Sequence, residues 1–137
     1  MQQTPKTTTL EGRRLTVADL MSAEVFTCGP DDSLGHAAGL LLAHDCGCVV
    51  VVGADRSVLG TVTDRDGFVA ALTEGGLLER MPVTTAMTRP ATCSPRDELD
   101  AAAARLRDAP AHRLPVIDSA GRLVGILSGR SLARCAA

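Results

Sequence analysis

Tryptophan and tyrosine are absent from this 137-residue chain, and Phe26 and Phe68 are its only aromatic residues. With no Trp or Tyr there is no stacking platform for unpaired bases. A formal net charge of −2 gives no long-range attraction for a phosphate backbone either, so nucleic acid is not an expected partner. Long apolar runs are also missing: the longest strongly apolar stretch, Cys48 to Val52, is far too short to span a bilayer. The N-terminal residues 1–9 lack the apolar centre of a secretory signal. A cytoplasmic protein with reduced thiols is therefore expected. The odd count of five cysteines does not suit a closed disulfide framework. Catalytic motifs are lacking as well: there is no Gly-x-Ser-x-Gly elbow, no Gly-x₄-Gly-Lys loop and no His-Glu-x-x-His. His36, His44 and His112 suggest no shared site, and His36 is expected mid-helix, facing solvent. The chain is expected to be a non-enzyme with no obligatory cofactor.

What is present is an internal repeat, the first thing to look for in a chain of this kind. Val17-Ala18-Asp19-Leu20-Met21-Ser22 recurs as Val83-Thr84-Thr85-Ala86-Met87-Thr88, 66 positions later. One residue is then dropped, and a shift of 65 holds to the end. Pro30 matches Pro95, Asp32 matches Asp97, Leu34 matches Leu99, Gly60 matches Gly125 and Arg65 matches Arg130. Cys28 and Cys93 fall one position apart in this alignment.

Either copy shows the physics of the unit. Leu34, Ala37, Ala38, Leu41 and Leu42 lie at i, i+3, i+4, i+7 and i+8, one face of a helix. Leu99, Ala102, Ala103 and Leu106 repeat that stripe, and Asp32 and Asp97 are the expected N-caps. A short apolar strand follows, Cys48 to Val52 or Leu114 to Ile117, then turn residues. A second strand covers Val58 to Val62 or Leu123 to Leu127, and a last helix starts near Asp64 or Gly129. The expected fold is α/β (α+β), two tandem β-α-β-β-α units. A unit of about 55 residues buries too little surface to be comfortable alone. Two back to back would share one core, related by a pseudo-two-fold axis. The expected division is a flexible tail over 1–14, repeats over 15–72 and 83–137, and a linker over 73–82 containing Gly75-Gly76.

Gly60-Thr61-Val62-Thr63-Asp64-Arg65-Asp66 resembles the Gly-h-h-Thr/Ser-x-x-Asp signature of the cystathionine-β-synthase (CBS) domain. His112-Arg113-Leu114-Pro115-Val116-Ile117-Asp118 resembles the strand motif that precedes that signature in the family. The resemblance covers about residues 15 to 136 and implies a tandem CBS pair, or Bateman module, of the stand-alone bacterial type. It further implies a regulatory module binding an adenine nucleotide (AMP, ADP, ATP or S-adenosylmethionine) between the repeats. A homodimer of two modules packed through their helices is implied too, with a separate effector protein to read the bound state.

The local chemistry agrees with that implication. A carboxylate such as Asp66, on the first turn of a helix, can accept from both ribose hydroxyls. Thr63 can donate to a phosphate oxygen, backbone N–H groups at the helix start favour the same anion, and Arg65 adds a charge-assisted contact. By the resemblance, the base is held by backbone around Val83-Thr84 and Ala111-His112, with His112 and Arg113 at the phosphate end. The second signature departs from the pattern: after Ser128 it carries Ser131 where the ribose-binding Asp belongs. That cleft is expected to be weak or empty, because a neutral hydroxyl accepts less strongly than a carboxylate. Val50 likewise replaces the proline that the second copy keeps as Pro115.

Plainer readings stand beside these. Asp66 can simply cap a helix, and His112-Arg113 can be a solvated strand entrance. A module with empty clefts would be a dimerisation scaffold. His44, Cys46 and Cys48 offer a metal- or redox-responsive alternative, although the Cys-x-Cys spacing lacks the usual two-residue gap. Cys48 begins a buried strand and reads better as a small core thiol, so no metal site is assigned.

Overall fold

The structure, a computed structural model, describes residues 9–10 and 13–136. Strand β1 (Thr9–Leu10) pairs antiparallel with β2 (Arg13–Arg14), both within the stretch expected to be a flexible tail. The rest of that expected tail, 1–8 and 11–12, lies outside the described residues. After a one-turn helix α1 (Val17–Leu20), the first repeat follows the expected order. It runs β3 (Thr27–Cys28), α2 (Leu34–His44), β4 (Val49–Val52), β5 (Val58–Val62) and α3 (Asp64–Glu74). Strand β4 lies central, parallel to β3 and antiparallel to β5.

The second repeat has α4 (Leu99–Leu106), β6 (Arg113–Ile117), β7 (Leu123–Ser128) and α5 (Gly129–Ala136), with β6 and β7 antiparallel. Its opening strand shrinks to one parallel bridge, Cys93 to Val116. That bridge corresponds to the pairing of Cys28 with Val51 in β3 and β4. Cys28 and Cys93 therefore hold equivalent places, correcting the one-position offset: the dropped residue falls ahead of them, where the chain is irregular.

Local chemistry moved several expected features. Asp32 and Asp97 are not N-caps. Asp32 Oδ2 accepts from the Gly29 N–H at 2.8 Å and Asp97 Oδ2 from the Ser94 N–H at 2.9 Å, so both close the turn ahead of the helix. The cap of α2 is Ser33, whose Oγ accepts from the His36 N–H at 3.0 Å. His36 is thus the third residue of that helix, not mid-helix, though it is exposed as expected. Leu34, Ala37 and Leu41 are buried but Leu42 is exposed, so the buried stripe is narrower than the spacing suggested. The segment read as a linker is partly structured: α3 runs on to Glu74, Gly75 at φ 67° ends it, and Leu78–Arg80 form a 3₁₀ turn before buried Met81.

The expected single shared core is replaced by two flanking cores that exchange their leading segments. Leu15 and Val17, which open the first repeat, pack with Leu99, Ala102, Leu106, Leu114 and Leu127 of the second. Val83, which opens the second, and Met81 just before it pack with Leu34, Ala37, Leu41, Val49 and Val62 of the first. A small third cluster, Cys48, Val50 and Leu123, joins the repeats between the sheets. Backbone bonds follow the same exchange. The Val17 N–H donates to Asp97 O and the Val83 N–H to Asp32 O, while Ser22 bridges Ile126 and Thr88 bridges Thr61. These paired bridges occupy matching positions in the two copies, which is the pseudo-two-fold relation expected of the repeat. The signature glycines make the exchange possible. A Cβ on Gly60 would come within 2.9 Å of Met87 Sδ, and one on Gly125 within 2.8 Å of Ser22 O.

Candidate functional site

The exchange carries Thr88 to the last strand of the first repeat and opens a groove of about 570 Å³ between the copies. One wall holds Gly47 and Thr63 to Asp66; the other holds Thr88, Asp108, Pro110 and Ala111. Thr63 ends its strand and caps α3. The Asp66 N–H donates to Thr63 Oγ1 at 3.3 Å, and Asp66 Oδ2 accepts from the Thr63 N–H at 2.9 Å and from Thr63 Oγ1 at 3.1 Å. This reciprocal cap satisfies backbone donors that a helix start otherwise leaves open. The capping reading of Asp66 is therefore realised, but it occupies one carboxylate oxygen. Oδ1 has a single longer contact, Thr88 Oγ1 at 3.5 Å.

The matching position in the second repeat carries, without charge, the half of this cap that the strand-end hydroxyl makes. The Ser131 N–H donates to Ser128 Oγ at 3.2 Å, and the two hydroxyl oxygens lie 3.1 Å apart. The geometry of the helix start survives without the charge.

Of the residues singled out from sequence, Thr63, Arg65, Asp66 and Ala111 meet in the groove. Val83 is fully buried in the first repeat's core. Thr84 is exposed, and the residues that approach Asp66 and Arg65 from that turn are Thr85 and Ala86, at a neighbouring hollow of about 380 Å³. His112 faces the start of α5 in its own repeat: its Cβ would be 3.5 Å from a Cβ on Gly129. Arg113 stands behind the groove wall, with its guanidinium against Gly47 and Nη1 donating to Ala111 O at 3.0 Å. Ala111 and His112 have φ of 54° and 53°, a left-handed pair with no glycine, which stores backbone strain beside the groove. Sequence reasoning passed over Thr88, Gly47, Asp64 and Asp108. Thr88 had a signal, as the counterpart of Ser22 in the repeated hexapeptide; Asp108 had none.

Of the described thiols, Cys28, Cys48 and Cys93 are core and Cys46 is half-buried. Burial pushes Cys28 up to about 11 and Cys48 and Cys93 up to about 12, and burial raises Cys46 as well. His44 stacks on Phe26 with ring centroids 4.0 Å apart, and Cys46 Sγ lies 3.8 Å from Leu40 O. Among the described residues, no three His, Cys, Asp or Glu side chains converge as a metal site would require. No helix among them is long and apolar enough to cross a membrane.

Fold and groove together define a pair of interlocked α/β repeats with a cleft at their junction. Both copies match the CBS domain, over residues 17–70 and 82–137, and the chain belongs to that family. It is 33% identical over 119 residues to the CBS domain-containing protein YhcV of Bacillus subtilis, 85% of this chain and 82% of that protein. It is 26% identical to protein MK0525 of Methanopyrus kandleri over 85% of this chain, and it spans only 60% of that protein's length. CBSX2 from Arabidopsis thaliana superposes with a TM-score of 0.78 at 26% identity, covering 89% of this chain and 94% of that one. A structure of CBSX2 in complex with AMP gives 0.73 at 27% identity, covering 89% and 96%. CBS pairs are regulatory modules, not catalytic ones, and CBSX2 shows that one of them binds AMP.

Proposed function

We propose that this protein is a nucleotide-responsive regulatory module that binds an adenine nucleotide in the groove between its repeats. The supporting observation is the second oxygen of Asp66. Its Oδ2 is spent on the helix cap, yet Oδ1 is left with one 3.5 Å contact in a groove whose walls come from both copies. A ribose hydroxyl pair can donate to that oxygen, and the N-terminus of α3 beside it favours a phosphate. A ligand seated there touches both repeats, so it stabilises the mutual orientation in which both walls fit and shifts the population toward it. The protein then works as a homodimer in the cytoplasm and passes its state to a separate effector.

Calorimetric titration with AMP, ADP, ATP and S-adenosylmethionine tests this, in wild type and Asp66→Ser. Serine is the informative replacement because it stands at the matching position of the second repeat, where Ser128 Oγ still accepts from the Ser131 N–H. One site per chain is expected in wild type, weakened at least tenfold in the variant, about 1.4 kcal/mol. No heat with any of the four ligands from folded wild type would overturn the reading and leave an empty-cleft scaffold.

A further inference from the structure

The two signatures differ in charge. Thr63-Asp64-Arg65-Asp66 opens α3 with two carboxylates and one guanidinium, whereas Ser128-Gly129-Arg130-Ser131 opens α5 with the guanidinium alone. The opposite wall of the groove adds a third carboxylate, Asp108, just past the end of α4 in the second repeat. Its match in the first copy is Ala43. All three acids that line the groove are thus uncharged at the equivalent positions, where Asp45 stands in place of Pro110 and His112 in place of Gly47.

Little offsets these acids. Among the described residues that line the groove, Arg65 is the one cation. Arg113 stands behind the wall, with Nη1 already donating to Ala111 O at 3.0 Å and His112 O at 3.4 Å. The Asp108 side chain has no hydrogen bond or ion pair among the described residues. Asp64 takes the first position of α3, so its own charge partly answers the positive end of that helix. Arg65 and the helix start can balance one phosphate, and further phosphates meet the carboxylates. A space of about 570 Å³ is on the order of 8 Å across, about one Debye length at physiological salt, so a charged tail anywhere in it feels all three.

From this charge pattern we infer that the groove selects its adenosine ligand by the charge of the 5′ tail. It takes a cationic tail, such as a sulfonium, or a single phosphate, and it rejects polyphosphates. Asp108 is the residue of the second repeat that sets this discrimination. The inference rests on the nucleotide reading above and deepens it by naming the class of ligand.

Calorimetric titrations with S-adenosylmethionine, AMP and ATP test it on wild type, Asp108→Asn and Asp108→Lys, in EDTA so that no divalent cation masks the phosphates. Asp108 is exposed and outside the cores, so both variants should fold, and circular dichroism checks that they do. In wild type, S-adenosylmethionine should bind most tightly, and ATP about tenfold or more weaker than AMP, since like charges brought together repel. The readout is the ratio of the ATP and AMP dissociation constants, in which a loss common to both ligands cancels. That ratio should fall about threefold or more in Asp108→Asn and close or reverse in Asp108→Lys. It should also shrink in wild type as sodium chloride is raised, because salt screens the repulsion. ATP binding to wild type as tightly as AMP would overturn the charge selection and leave the nucleotide reading standing. A ratio that neither variant changes, as exclusion by size would give, would overturn the role of Asp108. No heat with any of the three ligands would overturn the nucleotide reading itself.

Discussion

The guanidinium of Arg113 lies flat against Gly47, so close that a Cβ there would sit 2.8 Å from Cζ and 3.0 Å from Nε. The contact joins the copies: Gly47 leads into the central strand of the first repeat, and Arg113 begins β6 of the second. Arg113 also holds the carbonyl of strained Ala111 on the groove wall. Gly47→Ala is therefore expected to cost less than about 1 kcal/mol in stability, because the end of a flexible side chain can swing away. It should weaken nucleotide binding more than that cost suggests, since Ala111 loses its restraint. Urea unfolding and calorimetric titration of one preparation separate the two effects.

Gly125→Ala is the contrasting case. Its Cβ would meet a backbone atom, Ser22 O at 2.8 Å, as well as Met21 Sδ at 3.0 Å. The exchanged segment cannot yield without giving up the paired bonds between Ser22 and Ile126. A loss of about 2–3 kcal/mol is expected from such overpacking, read as a lowered urea midpoint. An unchanged midpoint would mean that the segment is not tightly seated.

The cap of α3 should be sensitive to Thr63 and tolerant at Asp66. Thr63→Ala removes an acceptor from a buried helix start and should cost about 1–2 kcal/mol. Asp66→Ser should cost less, about 0.5–1 kcal/mol, because it loses the acceptor of the Thr63 N–H but keeps the bond from its own N–H to Thr63 Oγ1, the half that Ser128 and Ser131 also make. Thermal unfolding of the two variants without ligand checks the order.

Thr61 presents a buried hydroxyl with no hydrogen-bond partner among the described residues. Thr61→Val keeps the shape and removes the desolvated oxygen, so it should stabilise the fold by about 1 kcal/mol. A destabilised variant in urea would show that the hydroxyl is satisfied in solution.

Stability should fall in alkali. Cys28, Cys48 and Cys93 have folded-state pKa values raised by burial to about 11, about 12 and about 12, against 9.0 for a free thiol. Below pH 9 both folded and unfolded chains hold these protons and stability is unaffected. Above it the unfolded chain releases them first, so stability declines between about pH 9 and 12, by up to about 1.4 kcal/mol per pH unit for each thiol. Urea midpoints across that window, with Cys48→Ala flattening the slope, provide the check. A flat profile would mean that the thiols are solvated.

The strands and helices of each unit were legible because side-chain period reports them. Leu34, Ala37 and Leu41 recur at helical spacing, and Val49 to Val52 form a short β-branched run bounded by turn residues, as a largely buried strand does. The Asp66 signature was legible for the same reason, as a local strand–cap–helix pattern. Turn chemistry was misread where two side chains competed for one role: Asp32 precedes Ser33, and the serine took the cap while the aspartate closed the turn. Asp108 and Pro110 reach the groove only because the second repeat is placed against the first, and no spacing in the sequence encodes that distance.

By itself the sequence determined that there are two copies, what each folds into, and that only one carries a carboxylate at its signature. Those are properties of neighbouring residues, set by hydrophobic period, caps and turns. The tertiary structure decided which segments complete which core, sending Val17 to the second repeat and Val83 to the first. It also left Leu42 and Phe68 uncovered while burying the side chain of Val83, whose backbone the family resemblance sets beside the ligand. An apolar side chain gains equally from any dry surface it reaches, so hydrophobicity states that it must be covered but not by what. Only the shape of the assembled chain, down to the missing Cβ atoms of Gly60 and Gly125, makes that choice.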